Sequence, residues 1–133
     1  FCPKFDENGL IPCVVSENKT GTTLMLAYMN ADALSLTIET GKAHFWSRSR
    51  DELWQKGAIS GHNQRIVEIL TDCDQDAICL IVEQEGAACH VGFHSCFYRS
   101  VTTGKIASST NIPLVQRNMK KTFNPSEIYG GKT

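Results

Sequence analysis

The stretch from residue 72 to residue 96, DCDQDAICLIVEQEGAACHVGFHSC, constrains this chain more than any other. It opens with carboxylates at alternate positions, Asp72, Asp74 and Asp76, with Cys73 between the first two, and closes with Cys89, His90, His94 and Cys96. In extended backbone successive side chains alternate in direction, which predicts the three carboxylates on one face and Cys73 on the other. Three like charges on one face repel, and a hard divalent cation such as Mg²⁺ offsets that repulsion most simply. Cys73 looks instead toward a softer ion such as Zn²⁺, together with Cys89 and Cys96. Three thiolates leave the fourth tetrahedral position for water, the arrangement of a catalytic site. The spacing Cys-x15-Cys-x6-Cys is not a short zinc-knuckle pattern. On spacing alone, therefore, the thiols read equally well as small buried hydrophobes and the Asp run as a solvated turn.

A chain of 133 residues holds one domain with a real core. With 13 basic and 14 acidic side chains and a formal net charge of -1, it lacks the basic footprint of a nucleic-acid binder, so any phosphate site is local. No run approaches the roughly 20 apolar residues that span a bilayer, and the opening residues FCPKFDENG lack the basic and apolar regions of a secretory signal. The expectation is cytoplasmic residence, with no membrane or nucleic-acid partner. Six cysteines in a chain with this much apolar content are not needed as staples, and a reducing compartment leaves them free for metal.

Residues 1–8 read as a flexible lead-in, with Phe5 docking on the body. Residues 10–15 and 22–29 read as a hairpin whose turn takes its unusual backbone angles from Asn18 and Gly21. Asn30 is placed to cap a helix over residues 31–39, with Leu34 and Ile38 on its buried face and Gly41 just past its end. Residues 42–50, KAHFWSRSR, read as an aromatic strand running into an extended segment that puts Arg48 and Arg50 on one side. Paired guanidinium groups with flanking hydroxyls suit an oxyanion, although such pairs are more often solvated surface. Residues 53–64 read as a loop anchored by Trp54. Strands are expected at residues 66–70, 78–82 and 96–99, with a short one at Ile112, Leu114 and Val115. The domain is expected to span residues 9–115, followed by a polar tail over 116–133 whose last ten residues look disordered.

The ordered motifs Trp46-Ser47-Arg48-Ser49-Arg50, Leu53-Trp54-Gln55-Lys56-Gly57, Ser60-Gly61-His62-Asn63-Gln64, Asp72-Cys73-Asp74-Gln75-Asp76, Ala88-Cys89-His90 and Ser95-Cys96-Phe97-Tyr98-Arg99 closely resemble those of the phosphoribosyl-AMP cyclohydrolases of histidine biosynthesis. Leu24-Met25-Leu26-Ala27-Tyr28-Met29-Asn30 also fits, so that the resemblance runs from about residue 9 to residue 99. It implies a cytoplasmic, intertwined homodimer. Its fold would be mainly β with short helices (α+β), built on a compact, mixed, five-stranded, pseudo-barrel-like sheet. It also implies one zinc per subunit, held by Cys73, Cys89 and Cys96 drawn from both chains, and magnesium on Asp72, Asp74 and Asp76. Val91 stands where threonine is usual in the family and His94 where arginine is common, which leaves the metal ligands intact. Cys2, Cys13 and Cys79 match no ligand position and are treated as packing thiols. The tail after Arg99 is too short for the pyrophosphohydrolase domain that some relatives carry, so a monofunctional chain is expected.

The reaction so implied is hydrolysis of the N1–C6 bond of the adenine ring of phosphoribosyl-AMP, giving the formimino aminoimidazole carboxamide ribonucleotide by way of zinc-activated water. His90 is the candidate for proton transfer, because imidazole accepts and returns protons near neutral pH; the alternative is that it only orients a ligating thiolate. Arg48, Arg50, Lys56, Ser60 and His62 are the candidate phosphate and ribose contacts. A purine deaminase is a second reading, but its His-x-Glu and Pro-Cys-x-x-Cys signature is absent. A small zinc-stabilised binding module is a third, and it needs a fourth protein ligand such as His90 or His94.

Overall fold

The computed structural model describes residues 1–104, 112–117 and 121. Its centre is a four-stranded mixed sheet in the order β2-β1-β6-β5. β1 (Ile11–Glu17) and β2 (Thr23–Met29) form an antiparallel hairpin, β6 (Ile78–Gln84) lies parallel to β1, and β5 (Gln64–Thr71) lies antiparallel to β6. Each central strand alternates as a half-buried strand must. Ile11, Cys13 and Val15 of β1 and Ile78, Leu80 and Val82 of β6 point into the core.

The long crossover between β1 and β6 supplies what covers that face. α1 (Ala31–Thr40) begins where Asn30 Oδ1 accepts the Ala33 N–H and ends at Gly41, whose left-handed φ of 71° lets its N–H reach Thr37 O. Ala33, Leu34 and Thr37 form the inward face, whereas Ile38 is 54% exposed. Thr37 takes the inner position because its hydroxyl is satisfied there, donating to Ala33 O and accepting the His44 N–H. The hairpin of β3 (His44–Ser47) and β4 (Glu52–Gln55) follows, and buried Phe45 meets Trp54 at a ring-centroid distance of 5.1 Å. β7 (Arg99–Val101) pairs with β8 (Leu114–Gln116) in a separate, wholly exposed ribbon.

The mainly β, mixed-sheet architecture matches the expectation, but among the described residues the sheet has four strands, not five, and no barrel closes. The aromatic strand pairs with the sheet at its start, where Lys42 bridges Arg65 of β5, and from His44 to Ser47 its ladder is with its own hairpin partner. Other local readings change as well. The first turn takes its left-handed backbone at Lys19 and Gly21, because Asn18 is committed to the neighbouring strand, its N–H to Val82 O and its side chain to Glu83 Oε1. Residues 48–51 form a hairpin turn where extended chain was expected, and residues 52–55 within the expected loop form β4. The strand expected at residues 96–99 begins instead at Arg99. Residues 72–76 also turn instead of extending, with Gln75 at a φ of 60°.

The lead-in carries bonds to that last turn: Cys2 N–H to Gln75 Oε1 and Lys4 N–H to Gln75 O, both 2.8 Å, while Phe5 packs against the core. The disorder expected of the last ten residues lies outside the described residues. Among those described, no helix is long and apolar enough to cross a membrane.

Candidate active site

A cleft of about 690 Å³ opens where the β3–β4 hairpin, the loop after β4 and the loop after β6 converge. Its lining includes Arg50, Trp54, Lys56, Ser60, His90 and Cys96. Of the predicted site residues, five thus share one cavity although they span residues 50–96 of the chain. Gly57 makes the turn after β4 possible: its φ is 88°, and a Cβ there would sit 2.5–2.7 Å from Asn63.

The loop after β6 folds back on itself through Ala88 N–H to His94 O and Cys89 N–H to Phe93 O, both 3.1 Å. It is pinned to β2 by Cys96 N–H to Leu24 O and by Ser95 Oγ to Thr23 O. That fold makes Cys89 and Cys96 neighbours, close enough for Cys89 to bear on the ionisation of Cys96. Burial, and after it the neighbouring Cys89, pushes the Cys96 thiol up to about 12, against the pull of Lys56. A thiol so raised is protonated at neutral pH, and only a bound cation would hold it as thiolate. Lys56 lies beside both sulfurs. Burial lowers its ammonium below the ordinary lysine range, the neighbouring Cys96 and Cys89 offset part of this, and its Nζ donates to Ala88 O at 2.6 Å.

Arg48 and Arg50 part company, because the turn at residues 48–51 sends them in different directions. Arg48 stacks 3.9 Å above the Tyr28 ring, outside the cleft, while Arg50 lines it beside Glu52 at 3.3 Å. His62 is not among the lining residues; its Nδ1 accepts the Ala87 N–H at 2.6 Å. His94, where arginine was expected to be usual, places Nε2 2.9 Å from Glu17 Oε2 at the end of β1, which commits it away from a fourth-ligand role.

At the other end of β6, the turn from Asp72 to Asp76 gathers the carboxylates to within 4.8 Å of one another. The turn does this, and not strand alternation: Asp72 Oδ1 accepts the Asp76 and Ala77 N–H groups. Desolvation raises the Asp72 carboxyl, but hydrogen bonds from Asp76, Asp74 and the two amides outweigh it and hold it below the ordinary carboxylate range. Asp76 is pushed up to about 6 by its hydrogen bonds to Asp72 and Asp74. Three carboxylates gathered this closely, one of them made harder to ionise by the other two, are a donor set suited to a hard cation. Among the described residues this is the one group of three or more such ligands that meets within a single chain, so Cys73, exposed on the same turn, does not join Cys89 and Cys96.

Sequence reasoning passed over Gln64 and Gln84. Gln64 is fully buried, and its Nε2 donates to Gln84 Oε1 at 2.8 Å. A glutamine at an inward position of a strand is the signal that could have found it.

The family profile described as phosphoribosyl-AMP cyclohydrolase matches residues 25–98. A phosphoribosyl-AMP cyclohydrolase of Nitrobacter winogradskyi is 51% identical over 132 residues, covering 99% of this chain and 89% of that protein. One from a Bradyrhizobium species is 51% identical over 129 residues, 97% of each chain. One from Methanothermobacter thermautotrophicus is 51% identical over 121 residues, 91% of this chain and 83% of the relative.

Proposed function

This chain belongs to the phosphoribosyl-AMP cyclohydrolase family, hydrolases of a C–N bond in a cyclic amidine, and we propose that its cleft opens the adenine ring of phosphoribosyl-AMP between N1 and C6. The observation that carries this reading is the convergence of Arg50, Lys56, Ser60, His90 and Cys96 on one cavity. Arg50 and Lys56 hold phosphate, with Ser60 beside them. Water adds across N1–C6: its oxygen goes to C6, which becomes the carboxamide carbon, and a proton goes to N1 as that bond breaks. His90 accepts the water's proton and returns it to N1. The exocyclic nitrogen stays on C6, so the product is the formimino aminoimidazole carboxamide ribonucleotide and no ammonia leaves.

Cys89 and Cys96 would hold zinc with a third thiolate from Cys73, and bound zinc would supply the Lewis acidity that makes water nucleophilic near neutral pH. Cys73 precedes β6 and Cys89 follows it. A strand of seven residues spans roughly 20 Å at about 3.3 Å per residue. The third thiolate therefore comes from a second copy. The outer face of the sheet supports a homodimer, since Leu26, Val14, Cys79 and Leu70 form an apolar row in register across all four strands, with Leu26 48% and Leu70 42% exposed. Six free thiols, three of them metal ligands in this reading, suit a reducing, cytoplasmic setting.

Supplied with zinc and magnesium, the protein is expected to convert phosphoribosyl-AMP with a change in ultraviolet absorbance and no ammonia in a coupled assay, and to leave AMP and adenosine untouched. Ammonia released at the rate of substrate loss would place the chemistry with the deaminases. No turnover with both metals present would favour the binding module.

Asp72, Asp74 and Asp76 would hold magnesium once Asp76 has lost its proton. Without a cation, the raised Asp76 contributes stability that is full below its unfolded value and is lost as pH rises through about 6. Magnesium restores it, and competes with the proton below that pH. The rise in melting temperature on adding Mg²⁺ should be larger at about pH 7.5 than at about pH 5; equal rises would contradict a site built on this triad.

A further inference from the structure

We propose that His62 is a positioning residue for the cleft, a latch between its two loops that acts through Nδ1 and not as a contact to substrate. The inference rests on the reading of the cleft as the cyclohydrolase site and deepens it.

The segments that carry Lys56 and Ser60 on one side, and Cys89 and His90 on the other, are joined at their bases. Glu85 N–H donates to Asn63 O at 2.9 Å. Gln84 Nε2 reaches His62 O at 3.3 Å and Asn63 O at 3.4 Å, and is itself oriented by Gln64 through the 2.8 Å bond to its Oε1. These bonds set the bases of the loops. His62 is the side chain that extends the seam toward the chemistry, taking the Ala87 N–H on Nδ1 at 2.6 Å. Ala87 is two residues before Cys89, and Lys56 Nζ on Ala88 O continues the seam one residue further. The position of Cys89 and His90 against Lys56 and Ser60 is therefore fixed from behind by this ring.

The chemistry of the contact defines the ring's state. An amide N–H only donates, so Nδ1 must offer its lone pair and, in the neutral imidazole, the hydrogen sits on Nε2. The approach is close enough to dictate the neighbouring residue as well: Gly86 has a φ of 73°, and any Cβ there would run into the His62 ring. A buried amide that loses its acceptor is costly, so the segment leading to Cys89 would shift to find another. A small displacement of reacting groups has large kinetic effects.

Two substitutions separate a latch from a substrate contact. Asparagine puts Oδ1 at the same bond count from Cα as Nδ1, and glutamine puts Oε1 at that of Nε2. His62→Asn is expected to keep most of the turnover and the slow hydrogen exchange of the Ala87 amide. His62→Gln and His62→Ala should each lower kcat about tenfold, move KM far less, and speed Ala87 exchange by about tenfold or more. The reverse order, with glutamine active and asparagine impaired in KM, would overturn the proposal by showing that His62 works through Nε2 on the substrate. Equal Ala87 exchange in wild type and His62→Ala would overturn it too. A wild-type protein without turnover on phosphoribosyl-AMP would sink the functional reading alone, since amide exchange reads the latch without any substrate.

Discussion

Replacing His90 with alanine is expected to lower turnover by about 10²-fold or more while zinc stays bound, the ordinary loss when a general acid–base group is removed. His90 is exposed and lines the cleft directly after Cys89, so it can reach a substrate that the buried sulfur cannot surround. Adding water across N1–C6 needs a proton taken from oxygen and delivered to nitrogen within one site, and His90, the one imidazole among the described residues lining the cleft, is suited to both. Steady-state rates with zinc content measured on the same sample check this. Near-normal turnover with intact metal would leave His90 only the role of orienting Cys89.

Replacing Cys89 with alanine should remove both zinc and turnover. Cys96 is held protonated by burial and by its neighbouring sulfur, and one such thiol does not retain a cation without the second. Asp74→Asn at the far end of β6 should leave zinc in place and raise the magnesium requirement, because the carboxylate turn and the thiol pair are separate clusters. Stoichiometric zinc in the Cys89→Ala protein, or zinc lost from Asp74→Asn, would mean that the ligands divide differently.

Much of the framework is readable from residue order, because its causes are local. Alternation along residues 11–17 and 78–84 marks the inward face, and Asn30 and Gly41 bound the helix through cap geometry that depends on a few neighbours. The readings that changed depend on which particular groups pair, near or far in sequence, and residue order does not fix that. Ile38 is exposed because Thr37 takes the inner position, its hydroxyl donating to Ala33 O in its own helix and accepting the His44 N–H across the helix–strand contact. Asn18 left the turn angles to Lys19 because Glu83, sixty-five positions away, takes its amide. Arg48 and Arg50 diverge because Trp46 and Leu53 pair across a hairpin whose turn they occupy.

The site shows the same division. The carboxylate triad is legible as a cluster, but its convergence comes from a turn held by Asp72 Oδ1 and not from strand alternation. The separation of Cys73 from Cys89 follows once β6 is seen to run its full length between them. His62 carries no sign in its own motif that its ring faces Ala87. That depends on how two loops fold over each other.

The claim that binds these observations is that each cleft is completed by the Cys73 turn of a second copy. Mixing separately inactive Cys73→Ala and Cys89→Ala proteins, after dissociation and reassociation, tests it most directly. In a hybrid dimer one site carries both defects and the other carries none, so random pairing should restore up to about a quarter of wild-type turnover, with zinc returning in proportion. No recovery from two folded, dimeric variants, or full zinc and turnover in Cys73→Ala alone, would contradict a site shared between chains.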